Sequence, residues 1–439
     1  MKMSSLFRAS ALVILSAISL NLGAQRLNVL EEVAANHMKA CGLDSPYIFD
    51  DPEMTPAPKG YEAFYVDHYG RHGSRYAYGS FVYQMPRNIL TRGLEENNLT
   101  PAGKNFLDRV LPLCEKVKNR IGDLTDAGWN QQYRIAGIMA GNFPSAFGKG
   151  ARVRANSSTS MRAAMSMSAF CLGLGQSCPG LEILAHNGRE YLHCTHPNDD
   201  GNPYKGQRVE AKPLPCTEKV EDFFGSKFDW RGFLGRYFKD VDLAVKGRDV
   251  YQEIRSMYML EGGMNSLDED VRVDFDDIFT DEEYTIMWEI ENYEHMLGWY
   301  PATHEISAIV EDMVSTADEH IAANLRGGDF RFGHDHVVMP LMMLLHIDSH
   351  GPHPKTAEET KYYFQTFYSC MASNVQMVFY RPKKSARPGR ELNAEDVLVK
   401  VVMNGHEAKI PVETGNWPYY EWTAVRDFYK SVVAQFSRE

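Results

Sequence analysis

A chain of 439 residues with 44% hydrophobic and 24% charged side chains can bury a large core in two or three domain-sized units, and this composition excludes a disordered or fibrous protein. The formal net charge of -12 argues against a nucleic-acid-binding or polybasic membrane-surface role, so any anion site must be made locally.

The chain opens MKMSSLFRASALVILSAISLNLGAQ, in which Lys2 and Arg8 precede an apolar run from Ala11 to Leu20 and small residues follow at Gly23 and Ala24. This pattern predicts a secretory signal peptide over residues 1–24 and export to a periplasmic or extracellular compartment. The run is too short to span a bilayer comfortably and no later stretch approaches a span, so no membrane insertion is expected after the leader is removed. Seven cysteines in an exported chain (Cys41, Cys114, Cys171, Cys178, Cys194, Cys216 and Cys370) predict disulfides, with at least one thiol left over and a connectivity that spacing does not reveal. No C-x-x-C pair occurs, which disfavours a zinc ribbon.

Residues 27–41 have helical spacing, and a proline-rich loop from Pro52 to Pro58 leads into an apolar strand. That strand runs into FYVDHYGRHGSRY (residues 64–76), where Gly70 and Gly73 open the backbone and Arg71, His72 and Arg75 arrive within five residues. Guanidinium forks match phosphate or carboxylate oxygens, and a neutral imidazole serves as nucleophile, base or metal ligand. The spacing predicts oxyanion binding joined to attack; two surface arginines and a loop histidine would produce the same three letters, R-H-G.

Helical patterns follow at 88–96 and 103–120, the second with Val110, Leu113, Val117 and Ile121 on one face and a kink or turn end expected at Pro112. The stretch from Leu124 to Gly128 opens a further helix through Met139, with Thr125 or Asp126 as N-cap. Residues 151–175 repeat the logic of the first corner. A short β-like run ends in polar residues, Ser158 or Thr159 caps a helix starting near Met161, and Arg162 falls in its first turn. An arginine there opposes the helix dipole unless an anion shares the site; the alternative is a solvent-facing side chain.

From 181 to 301 the texture changes to loops and aromatic-rich helices, among them 249–259 and 281–296. This predicts a mainly helical cap inserted into a core made of residues 25–180 and 302–439. The stripe Ile306, Ile309, Val310, Met313, Ala317, Ile321 predicts a helix over 304–325, stopped by Gly327-Gly328. A brief strand then ends at Gly333 and exposes His334, Asp335 and His336, the arrangement of an α/β crossover whose strand ends carry ligand sites. In the tail, a strand over 397–403, a turn at Asn404-Gly405, a short strand through Ile410-Pro411 and an amphipathic helix over 419–436 are expected.

The run Arg71-His72-Gly73-Ser74-Arg75, the later Arg162 at a Ser/Thr-rich helix start, and Gly333-His334-Asp335 after a strand together resemble the histidine acid phosphatases, in the branch with phytases and multiple inositol polyphosphate phosphatases. The likeness covers nearly all of the chain beyond the leader. It implies an α/β fold, a central mixed sheet flanked by helices with a phosphoglycerate-mutase-like core and an inserted helical cap. It further implies that His72 is the nucleophile forming a phosphohistidine, that Arg71, Arg75, Arg162 and His334 bind the phosphoryl group, and that Asp335 protonates the leaving oxygen. No metal and no cofactor are implied, and the partner is a small-molecule phosphate monoester, phytate-like or a sugar phosphate. The chain departs from the family pattern at Ala77, where proline is frequent, and at His336, which follows the His-Asp pair; many inositol polyphosphate members carry His-Ala-Glu instead of His-Asp. Two other readings compete. One is a metal-dependent hydrolase built on His334, Asp335, His336, His346, Asp348, His350 and His353. The other is a non-enzymatic phosphate-ligand-binding protein, which would need no acid beside His334.

Overall fold

The opening strand β1 (Tyr61–Arg71) is buried from Ala63 to its end and lies in the middle of the sheet. In the computed structural model, which describes residues 29–50, 52–348, 350–351, 353–386 and 392–437, the other strands are β2 (Arg152–Ser157), β3 (Glu182–Asn187), β4 (Gly327–Gly333), β5 (Asn374–Pro382), β6 (Leu398–Met403), β7 (His406–Glu407) and β8 (Tyr420–Glu421). Among the described residues these form one mixed sheet in the order β3-β2-β4-β1-β5-β6-β7, with β8 also on β6. Strands β3, β2, β4 and β1 run parallel, whereas β5 to β8 pair antiparallel. The expected leader over residues 1–24 lies outside the described residues.

The principal helices are α1 (Phe81–Glu95), α2 (Pro101–Val117), α3 (Asp126–Asn142), α4 (Met161–Ser177), α5 (Val250–Gly263), α6 (Asp281–Trp299), α7 (Thr303–Ala323), α8 (Asp335–Leu345) and α9 (Trp422–Ala434). Strand residues alternate between two faces, and each face has its own helical cover. Ile135 and Met139 of α3 and Met167 and Phe170 of α4 pack on Val66, Phe330, Phe332 and Val378. On the other face Ile309 and Met313 of α7, Val337 and Leu341 of α8, and Val425 and Tyr429 of α9 pack on Tyr69, Val375, Met377 and Val401. Full burial of each such side chain contributes about 1.5–3 kcal/mol. The fold class expected from the resemblance, a mixed sheet between helical layers, is the one observed.

Behind the site, β1 and β4 are tied by charge. Arg331 Nη1 donates to Asp67 Oδ1 at 2.6 Å and its Nε to Asp312 Oδ2 at 2.7 Å, while the Tyr65 hydroxyl donates toward Asp67 and Asp329. All of these groups except Asp312 are buried, so a register slip would strand an unpaired charge, at about 3–5 kcal/mol. The pairing Arg71 with Gly333 that follows from this register sets the ends of both strands side by side.

A second core is all helical. Val33, Val82, Leu90, Phe106 and Val110 pack with Ile254, Leu260, Trp288 and Ile290. Residues 29–41 and helices α1 and α2 therefore contribute to this layer along with the segment expected to form the cap. The expected cap boundary at residue 181 also shifts, because 182–187 is the edge strand β3 of the sheet.

Local differences have local causes. Helix α1 starts at Phe81, ahead of the expected 88, and contains Pro86; α2 continues through Pro112 without ending. Helix α7 stops at Asn324, whose φ of 50° lets its N–H close on His320 O and Ile321 O, so Gly327-Gly328 open β4 rather than end the helix. Ser160, not Ser158 or Thr159, occupies the N-cap of α4. The expected strand through Ile410-Pro411 is limited to His406–Glu407. Strand β5 was not among the expected elements: NVQMVFYRP is buried on both faces, so it shows no period-two alternation.

The expected disulfides do not form; all seven thiols are free. Cys171 and Cys178 stand seven residues apart along α4 and its C-terminal cap, about 10 Å of helix rise, which exceeds disulfide reach. Cys114 and Cys194 donate weakly to the carbonyls of Tyr83 and Tyr191, and Cys216 meets the Tyr293 hydroxyl.

Candidate active site

Three neighbouring parallel strands end on the same edge, and each delivers part of one polar cluster. His72 follows β1 directly, with its N–H on Gly333 O at 3.0 Å. His334 follows β4 and caps α8, and Ser158 follows β2 with its N–H on Phe332 O at 2.9 Å. Arg162 enters from the first turn of α4. The six residues expected at the site, Arg71, His72, Arg75, Arg162, His334 and Asp335, thus converge at the carboxyl ends of β1, β2 and β4, where open α/β sheets hold ligands.

The loop after β1 is held by its surroundings rather than by its own hydrogen bonds. Gly73 packs so closely on α3 that a Cβ there would lie 2.2 Å from Gly128 O, and its N–H donates to Ser166 Oγ at 3.0 Å. Ser74 is a structural hub: its N–H donates to Gln131 Oε1, its carbonyl accepts from the N–H and hydroxyl of Thr125, and its hydroxyl bonds Gln131 and Ser266. Gly333 is equally constrained, since a Cβ would meet the Tyr69 hydroxyl at 2.0 Å.

His72 Nδ1 lies 2.9 Å from Gly73 O. A carbonyl can only accept, so Nδ1 carries the proton and Nε2 keeps its lone pair. Burial first, and then the charges of Arg162, Arg71 and Arg75, hold the imidazole well below its ordinary pKa. The ring is therefore neutral at physiological pH, and its unprotonated Nε2 lies in the positive field of those arginines.

Arg71 is fully buried. Its Nη1 donates to Leu43 O at 2.6 Å and Ser369 O at 2.7 Å, and its Nη2 to Asp335 Oδ2 at 2.9 Å. Arg75 donates to its neighbour's carbonyl, Tyr76 O, and stands 3.7 Å from Asp44 Oδ1. Arg162 Nη2 reaches His334 Nδ1 at 3.5 Å, which leaves the Nε2–H of His334 to donate to Ser158 Oγ at 2.9 Å. Burial, with Arg75 and Arg71 nearby, pushes the Arg162 guanidinium down to about 10. In all three arginines the Nε–H is buried without an acceptor among the protein atoms. Each such donor costs about 1–3 kcal/mol, and a multidentate oxyanion is the partner that matches them.

Asp335 opens α8, where a carboxylate is favoured by the helix dipole. Burial raises its pKa, but Arg71, the His336 hydrogen bond and Arg75 outweigh it and hold the carboxyl well below the usual range. His334 is held neutral chiefly by burial, with the Arg162 charge acting in the same direction.

Several residues near the site carried no sequence signal. Asp44 reaches Arg75 from a turn far upstream, and the His196 ring packs at a tilt against His334 with centroids 4.7 Å apart. Neither follows a β-like apolar run that ends in polar residues, the pattern that marked the other three segments.

The histidine-rich run 334–353 does not gather into a metal site. His346 packs edge-on to Phe428, His350 bonds Ile347 O, and His353 meets the Tyr300 hydroxyl. Among the described residues, the one trio of His, Cys, Asp or Glu with ligand atoms within 4.8 Å of each other is His193, Cys194 and Asp312, and there Asp312 is already bonded by Arg331.

No protein-family model matches the sequence, and no curated protein matches it. Solved structures do. The Bifidobacterium longum multiple inositol polyphosphate phosphatase complexed with phosphate aligns at 17% identity over 90% of this chain and 98% of that chain, with a TM-score of 0.68. Its complex with inositol hexasulfate aligns at 17% identity over 88% and 96%, with a TM-score of 0.67. The phytase from D. castellii aligns at 13% identity over 91% and 86%, with a TM-score of 0.64. The chain shares the fold of this inositol polyphosphate phosphatase and this phytase.

Proposed function

We propose that this protein is a phosphomonoesterase that hydrolyses organic phosphate monoesters, of the inositol polyphosphate or sugar phosphate class, through a phosphohistidine on His72. One observation carries the reading: a neutral imidazole with a free Nε2 lone pair stands among three guanidiniums and beside a carboxyl group, on the ends of three adjacent parallel strands. The ligands named for the structural neighbours are inorganic phosphate, the product of such hydrolysis, and inositol hexasulfate, a sulfate ester that carries oxyanions on an inositol ring.

Arg71, Arg75 and Arg162 hold the phosphoryl oxygens and neutralise charge as it spreads over them, with His334 beside them. His72 Nε2 attacks phosphorus, the bond from phosphorus to the ester oxygen breaks, and Asp335 gives its proton to the departing alkoxide. Water then attacks the phosphohistidine, its proton returns to the Asp335 carboxylate, and the P–N bond breaks to release phosphate. Asp335 is ionised in the free protein because Arg71 stabilises its charge. A bound phosphate engages that guanidinium and adds its own negative charge, and both effects raise the pKa of Asp335 toward the protonated form the first step needs. The leader-like segment over residues 1–24 supports a periplasmic or secreted enzyme.

The test is phosphate release from phytate, a sugar phosphate and 4-nitrophenyl phosphate between acidic and mildly alkaline pH, with and without exhaustive chelation. Release should survive chelation, and His72→Ala should abolish it and the acid-labile, base-stable phosphoprotein that a rapid alkaline quench traps. Near-normal turnover by His72→Ala would falsify the nucleophile assignment; loss on chelation restored by added metal would revive the metal-dependent reading.

A further inference from the structure

Asp335 stands at one end of a chain of polar side chains whose other end, Asp199, is the most exposed. His336 Nδ1 lies 3.2 Å from Asp335 Oδ1, His336 Nε2 lies 2.6 Å from His196 Nε2, and His196 Nδ1 lies 3.3 Å from Asp199 Oδ2. Side-chain exposure is 20% at Asp335, 18% at His336, 15% at His196 and 32% at Asp199, so Asp199 meets water most freely and Asp335 loses its own solvent access only when a substrate covers it. The two histidines come from segments 140 residues apart, one opening α8 and one following the short helix Leu192–Thr195. His336 is clamped between the His334 ring, parallel at 5.0 Å, and the Trp299 ring at 5.0 Å. The phosphoryl chemistry proposed above uses neither His336 nor His196.

We propose that Asp199, His196 and His336 form a proton relay that loads Asp335 from solvent for protonation of the leaving group. This rests on the proposed phosphomonoesterase reading. Two imidazole nitrogens at 2.6 Å need one N–H between them, so the pair carries a single shared proton and can pass it either way. In the inward direction the His336 Nδ1–H bond breaks and an O–H bond forms on Asp335 Oδ1. His336 Nε2 then takes the proton from His196 Nε2, and His196 Nδ1 takes one that the Asp199 carboxylate has accepted from solvent. One proton leaves solvent, one appears on Asp335, and the imidazoles exchange tautomers.

The surroundings favour passage over storage. The groups facing the relay are His334 and Arg162 on one side, Asp335 with Arg71 and Arg75 behind it, Asp199 at the outer end, and the Trp299 ring, whose N–H is spent on His295. Burial above all, with the Arg162 charge acting the same way, holds His196 down to about 4 although Asp199 and Asp335 pull the other way. A standing imidazolium at His196 is therefore disfavoured near neutral pH, as a conducting position requires.

The test compares kcat/KM for phytate, an alkyl ester that needs an acid, with that for 4-nitrophenyl phosphate, whose leaving group needs little help. His196→Phe keeps an aromatic ring against His334 and His336 and removes both nitrogens; it should lose about tenfold or more on phytate beyond any loss on the aryl ester. His196→Gly should show the same discrimination, and added imidazole should restore the phytate rate selectively. Equal losses on both esters, no loss on either, or no selective rescue would overturn the relay while the wild type still cleaved both. A wild type that cleaved neither would instead remove the phosphomonoesterase reading, and the relay with it.

Discussion

His68 allows the physical account of the β1 strand to be tested by number. Its ring is fully buried between Phe170, Phe330 and Phe332, at centroid distances of 5.2, 5.5 and 5.2 Å, and neither nitrogen has a hydrogen-bond partner. Burial first, and the Arg331 charge second, push its pKa down to about 3. The unfolded chain, with an ordinary histidine near about 6.5, binds more protons than the folded one below that pH, so stability falls as pH drops from about 6.5 toward 3. At pH 5 the deficit is about 1.5 pKa units, or about 2 kcal/mol relative to pH 7. His68→Leu removes the titrating group and keeps the volume. Urea unfolding of both proteins at pH 7 and pH 5 separates the effects, because any packing cost is common to both pH values and cancels. The variant should lose about 2 kcal/mol less than the wild type over that interval. An identical pH dependence in the two proteins would refute the claim that His68 is buried neutral.

The site yields further expectations. Asp335→Asn should cut kcat/KM on phytate by about 10²-fold or more and spare 4-nitrophenyl phosphate by comparison, while inorganic phosphate inhibits more tightly because a carboxylate has left the pocket. On alkyl esters the wild type should turn over faster as pH falls from 8 toward 5, since Asp335 must gain a proton, and Asp335→Asn should flatten that rise. Arg162→Ala should weaken phosphate inhibition about 10–100-fold, the worth of a charge-assisted hydrogen bond or two, yet leave unfolding midpoints unchanged or raised, because it relieves repulsion from Arg75 and Arg71. Arg71→Met should behave oppositely. It strips Leu43 O, Ser369 O and Asp335 of a shared donor and should cost about 3–5 kcal/mol in urea unfolding as well as activity.

How far the sequence was legible differed from element to element. Helices with one apolar stripe, such as α7 with Ile306, Ile309, Val310 and Met313, were readable because the stripe must face the sheet. The corners at His72, Arg162 and His334 were readable because a run of apolar residues ended in a cluster of polar ones. Strand β5 was not, since a strand covered on both faces has no periodicity to read. Nor was the helical layer, whose residues 29–41, 81–117 and 216–293 are contiguous only in space. The cysteines misled for a related reason: closeness in sequence, as in Cys171 and Cys178, is distance along a helix.

By itself the sequence determined which chemistry was available: one imidazole bracketed by guanidiniums, an arginine at a helix start, and a His-Asp pair after a strand. Local covalent order sets residue types and spacings, and those suffice to name oxyanion binding and phosphoryl transfer as candidates. Tertiary structure alone decided how that chemistry is poised. The tautomer of His72 depends on the Gly73 carbonyl, and its neutrality on burial among three arginines, two from the end of β1 and the loop after it and one from a helix. The ionisation of Asp335 depends on Arg71, 264 residues away, and the role given to His336 depends on His196, 140 residues away. Protonation states answer to fields and dielectric that fall off over a few ångströms of space, whatever the distance along the chain.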